Sequence, residues 1–122
     1  MASAGSLRRT GTHLPHRWTE EGVVVETEFT GAHLLHLSVA ACVLNDLYRE
    51  ADARGLRLDG VRVEARGGFD PKTWRSTGIS YDVVLDSPEP AYAQDDLLAV
   101  VDEVAEIPRV LRAGTTVMRT PS

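Results

Sequence analysis

Cys42 is the only thiol in the chain. A thiolate is the nucleophile that attacks peroxides and disulfides, and a thiol without a partner cysteine cannot close an intramolecular disulfide. Its setting is a helix of leucine, valine and alanine, where an unpaired cysteine commonly serves as a small inert hydrophobe. Reactivity there requires a cation or several hydrogen-bond donors at the sulfur. Asp46, one helical turn on, pushes the other way. Arg17, beside Trp18 in a candidate strand, is the best-placed arginine for a thiolate partner, and its alternative is a solvated strand residue. His33 and His36 stand three apart on one helix face, a spacing that can hold a metal. Nine steps of about 100° separate His33 from Cys42, which puts them on opposite sides of the helix. No third ligand has recognisable spacing, so no metal or other cofactor is expected, and the two histidines read as a helix-end pair at a pocket wall or interface.

The elements around these residues follow from periodicity. Residues 1–10 are small, polar and basic, with Arg8 and Arg9 as tail charges, and read as a flexible N-terminal tail before a single domain at 11–122. A short strand at His16–Glu20, a turn at Glu21-Gly22 and a strand at Val23–Phe29 make a hairpin. Ala32–Arg54 reads as a long helix, apolar nearly all round in its first half and amphipathic from Asn45, with Asp46, Arg49, Glu50 and Asp52 largely outside the apolar stripe. Gly55 sits where a helix-ending glycine belongs.

Val61–Arg66 and Ile79–Leu85 alternate as strands, and Gly67-Gly68 marks a bulge or turn between them. Trp74 is expected to pack on a strand end. Asp95 and Asp96 suit the first turn of a helix reaching about Ala105. Pro108 opens a further short helix ending at Gly114, and Thr115–Met118 closes as a strand. The class is α+β, and the long apolar helix needs a sheet or a second subunit to cover it.

Composition narrows the partners. The chain is 43% hydrophobic and 25% charged, with a net charge of −5 and Lys72 as its only lysine. That balance is of a globular domain and offers no basic face for phosphates, so nucleic acid is not an expected partner. No apolar run approaches a membrane span, the N-terminus lacks the apolar core of a secretory signal, and a lone thiol suits a reducing compartment. The expected location is therefore cytoplasmic.

The run Leu34-Leu35-His36-Leu37-Ser38-Val39-Ala40-Ala41-Cys42 resembles the leucine- and alanine-rich helix ending in Ala-Cys of the OsmC/Ohr family of thiol-dependent hydroperoxide reductases. Gly55–Glu64 is similar to that family's passage from helix to strand, and Ala105-Glu106-Ile107-Pro108 lies where the family carries a second Cys-Pro. The resemblance covers roughly residues 23–119. It implies an OsmC-like fold built as an intertwined homodimer, with Cys42 as the residue that attacks peroxide at a site on the subunit interface. Ile107 stands where the family has its second cysteine, and Ala32 where Ohr-type members carry a glutamate. Two functions follow from it. One is a one-cysteine reductase of organic hydroperoxides, serving oxidative-stress defence and recycled by an external thiol. The other is a divergent member without that chemistry, binding a small apolar molecule or acting as a structural dimer.

Overall fold

The computed structural model describes residues 1–121. Its elements are β1 (Ala2–Gly5), β2 (Thr12–Leu14), β3 (Val23–Val25), α1 (Gly31–Ala53), β4 (Gly60–Phe69), β5 (Ser76–Asp86), α2 (Ala91–Val104), α3 (Glu106–Leu111) and β6 (Val117–Arg119). One six-stranded sheet runs β2-β3-β1-β4-β5-β6. All pairs are antiparallel except β5 with β6. The α+β expectation holds.

The first ten residues correct the expectation of a flexible tail. Ala2–Gly5 is an inner strand, paired on one side with β3 and on the other with β4. Ala2, Ser3 and Ala4 are at most 2% exposed, and the Ser3 hydroxyl accepts the Arg9 amide N–H at 3.0 Å. The strand carries no β-branched residue, so its conformation comes from the ladders on either side of it. A Cβ on Gly5 (φ 63°) would stand 2.1 Å from the Asp59 carbonyl oxygen, so only glycine lets the chain leave the sheet there.

The next strand is displaced from its expected place. It occupies Thr12–Leu14, and Pro15 ends it; His16–Glu20 forms the bends that follow. β2 rather than His16–Glu20 forms the hairpin with β3, Leu14 lying opposite Val23, and residues 15–22 with Gly22 at φ 79° replace the tight turn expected at Glu21-Gly22. β3 stops at Val25, and Phe29 lies 89% exposed beyond it.

Helix α1 matches the sequence reading almost residue for residue. Thr30 caps it, its hydroxyl accepting the His33 N–H at 3.0 Å. At the far end the Leu56 N–H reaches the Ala51 carbonyl (2.8 Å) and the Gly55 N–H that of Asp52 (3.2 Å), a Schellman ending that needs Gly55 at φ 67°. Its buried face, including Val39, Val43, Leu44 and Leu47, lies on the sheet face made by Ala2, Ala4, Val61, Val63, Ile79 and Tyr81.

β4 and β5 form the longest ladder, and its irregularity at Gly67–Phe69 makes the two glycines a bulge rather than a turn. Trp74 departs from expectation: it stands 77% exposed at φ 62° in the connecting turn. Helix α2 begins at Ala91 rather than Asp95, so Asp95 and Asp96 fall in its second turn, both exposed. Tyr81 donates to Asp102 on α2. Arg112 bonds both the Asp102 carboxylate (3.2 Å) and the Val117 carbonyl (3.0 Å), fastening α2, α3 and β6 together. Among the described residues no helix is long and apolar enough to cross a membrane.

Candidate active site

Cys42 lies on α1, half-buried at the edge of the core beside the residues of α3. The expected neighbour is in place. The backbone amides of Ile107 and Glu106, at the start of α3, favour the Cys42 anion. Burial nevertheless dominates and pushes the thiol above its ordinary range. The Ile107 amide offsets part of this, the Asp46 carboxylate adds to it, and the amide and carboxylate of Glu106 act in opposite directions.

Arg17 does not serve this sulfur within the chain. It is exposed in the bend after Pro15, with its guanidinium over the Trp18 ring, 5.2 Å from the centroid, and it is not among the groups that act on Cys42. The strand on which the sequence placed it is absent there, because Pro15 withdraws a ladder N–H. Ala32 offers only a methyl group.

His33 and His36 diverge. His33 is exposed at the helix start, its Nδ1 2.6 Å from the Thr30 hydroxyl and its Nε2 3.2 Å from the Glu28 carboxylate. His36 is 8% exposed and stacks on Phe69 with ring centroids 6.4 Å apart. Its Nε2 is buried without a hydrogen-bond partner against Gly67, where a Cβ would approach to 2.7 Å. Burial lowers its proton affinity, and His33 lowers it further. A cavity of about 290 Å³ opens beside it, lined by Ala32, His33, His36, Leu37, Ala65 and Gly68 among others. Among the described residues no three His, Cys, Asp or Glu side chains gather as a metal site.

A second cluster was hidden from sequence reasoning. Asp46, expected outside the apolar stripe, is 2% exposed, and its Oδ2 is buried without a partner. Burial raises its carboxyl above the usual range, while Asn45 and Arg49 pull it down; Glu106 and Glu50 raise it. The Asn45 amide donates to Asp46 Oδ1 at 3.1 Å, and the Asn45 Oδ1 lies 3.0 Å from His16 Nε2. His16 Nδ1 is 2.8 Å from the Thr19 hydroxyl, which donates to the Gly22 carbonyl at 3.1 Å. The available signal was position: Asp46 continues the row of Val39 and Val43, both buried, and so enters the core with them. Nothing in the sequence marks His16.

Comparison with known proteins places the chain. The family model described as OsmC-like protein matches residues 25–118. No curated protein matches the chain in sequence. Among solved structures, an OsmC-like protein from Mycoplasma pneumoniae superposes with a TM-score of 0.70 at 14% identity, over 80% of this chain and 73% of that one. An organic hydroperoxide resistance protein OsmC from Legionella pneumophila gives 0.64 at 15%, over 76% and 69%. The organic hydroperoxide resistance protein OhrB of Bacillus subtilis gives 0.62 at 16%, over 98% and 96%. At these identities the structural likeness is one of fold. Taken with the match of the family model over most of its length, it shows that the chain belongs to the OsmC-like protein family.

Proposed function

We propose that this protein is a slow, one-cysteine thiol-dependent hydroperoxide reductase in which Cys42 is the reacting residue. The observation that carries the reading is a half-buried, unpaired sulfur at the edge of the core, whose anion the backbone amides of Ile107 and Glu106 favour. Those amides supply anion-stabilising donors without any charged side chain. The Cys42 thiolate attacks the terminal oxygen of an organic hydroperoxide, the O–O bond breaks, and the alkoxide leaves and takes a proton as the alcohol. The sulfur is then a sulfenic acid. One external thiol condenses with it, releasing water, and a second releases Cys42 as the thiol and departs with the first as a disulfide. Leu35 and Ile107, packed on the same core cluster as Cys42, favour an apolar peroxide. The rate is low because burial and Asp46 keep the sulfur protonated.

The partner we propose is a second copy of the chain. Leu34 and Ala41, on the outward face of α1 beside Cys42, are exposed, and Phe29 nearby in sequence is almost fully so. A homodimer would cover this face and enclose the thiol. The reduced state of Cys42 suits a cytoplasmic setting.

The raised thiol and the methyl group of Ala32 favour a second reading, a member that has lost peroxide chemistry and binds a small apolar molecule instead. The test is turnover of an organic hydroperoxide with a dithiol reductant, with dimedone trapping in parallel. Repeated turnover abolished by Cys42→Ser, with the dimedone adduct on Cys42, supports the reductase. An unmodified Cys42 under conditions that oxidise a free thiol overturns the reductase and leaves the second reading.

A further inference from the structure

We propose that the hydrogen-bonded chain His16–Asn45–Asp46 sets the ionisation of Cys42, so that these three are positioning residues for the thiol. The proposal rests on the reading of Cys42 as the reactive residue, and it concerns what controls that residue.

The Asn45 amide nitrogen faces Asp46 Oδ1, so the amide oxygen faces His16 Nε2. An oxygen accepts only, and Nε2 must therefore carry a proton. On the other side of the ring the Thr19 hydroxyl has a single proton, aimed at the Gly22 carbonyl. Nδ1, 2.8 Å from that hydroxyl, must then donate as well. All four links are made together only when both ring nitrogens are protonated. The neutral ring must draw the Thr19 proton away from Gly22. The cation so defined is tied through one amide to a carboxylate that is 2% exposed.

Asp46 is where the chain meets the sulfur. It lies four residues after Cys42 on α1, one turn along the same side of the helix. Its Oδ2 is buried without a hydrogen-bond partner, while its Oδ1 faces the Asn45 amide and the Arg49 guanidinium. The other charged groups facing this pair are Glu106 on α3 and Arg49 and Glu50 on α1 itself; Arg49 lies 3.2 Å from Asp46 Oδ1. With His16 protonated, a second cation joins Arg49 in balancing the Asp46 charge and the thiol ionises more readily. With His16 neutral, Arg49 alone opposes the carboxylate, which holds the proton on Cys42 more firmly.

The experiment is the pH dependence of Cys42 alkylation by iodoacetamide, a readout that does not need peroxide turnover. For a thiol that titrates alone, the rate rises tenfold per pH unit below its midpoint. The wild type should rise less steeply over the range in which the His16 ring gives up its second proton. His16→Gln, which keeps a donor for Asn45 but takes no second proton, should restore the straight line. Asp46→Asn should restore it too, and should speed alkylation at neutral pH by at least about threefold, the effect of one charge at helix-turn distance in water-like surroundings. Ring ¹⁵N shifts of His16 in the wild type give an independent reading and decide the matter with His16→Gln should Asp46→Asn fail to fold. A straight wild-type line with Asp46→Asn within about twofold of it overturns the proposal, as does a His16 ring that stays neutral at every pH. A bent line that His16→Gln straightens, in a protein without peroxide turnover, overturns the reductase and leaves this chain standing.

Discussion

Arg112 holds the α3 segment against the site, and its replacement by alanine has a size that follows from the structure. The guanidinium makes hydrogen bonds to three acceptors: the Val117 carbonyl (3.1 Å from Nε, 3.0 Å from Nη2), the Asp102 carbonyl (3.1 Å) and the Asp102 carboxylate (3.2 Å). Hydrogen bonds to charged groups contribute about 1.5–3 kcal/mol each when shielded. Arg112 and Asp102 are about a third exposed, 32% and 36%, so solvent screening reduces that to about 1 kcal/mol per acceptor. Arg112→Ala should therefore cost about 2–3 kcal/mol, a large part of the roughly 5–15 kcal/mol that holds a domain together. In urea denaturation followed by far-ultraviolet circular dichroism, the midpoint should fall by about 1–2 M. Arg112→Lys keeps the charge but not the planar fork, and should recover less than half of the loss. Because α3 carries the Ile107 and Glu106 amides, alkylation of Cys42 should also accelerate as its cover loosens. A midpoint within about 0.3 M of wild type in Arg112→Ala would refute this reasoning and would mean that Tyr81 and Asp102 suffice to seat α2 and β6.

Stability should depend on pH through Asp46, whose folded carboxyl is raised above its unfolded value. The folded state then binds this proton more tightly, so the ionised form costs stability as pH rises from about 4 through the folded value; Asp46→Asn should flatten the urea midpoint over that range, and an unchanged slope refutes it. Sedimentation at micromolar concentration should show a dimer, and a persistent 13.3 kDa species excludes the covered α1 face. Deleting residues 2–5 should abolish cooperative unfolding, because two ladders and three buried residues go with them; a sharp transition near the wild-type midpoint would return that segment to a tail. Excess hydroperoxide should carry Cys42 to the sulfinic acid in intact-mass spectra, for want of a second thiol. Arrest at the sulfenic acid would show that the site itself protects the residue.

Helix α1 and the β4–β5 hairpin were legible because each writes its period in large residues: the buried row of Val39, Val43, Leu44 and Leu47, and the alternation of Ile79, Tyr81, Val83 and Leu85. Gly55 was legible because a left-handed helix ending has few other solutions. The strand at Ala2–Gly5 was not, since its side chains are small and its place is defined by valines twenty and sixty residues away. Cys42 and Ile107 were singled out through sequence likeness, and the fold places the start of α3 beside Cys42. Arg17 was misplaced because adjacency to Trp18 reports a local stacking, not a position relative to α1. Asp46 was read as a surface charge because its type outweighed its row.

The inner position of β1 also constrains the order in which the protein can be made. On the ribosome the first strand emerges long before Gly60–Val63, the segment that completes one of its two ladders. Until then Ala2–Gly5 can pair only with Val23–Val25, and the two-sided slot that buries Ser3 does not exist. Co-translational folding of this domain must therefore wait on its middle.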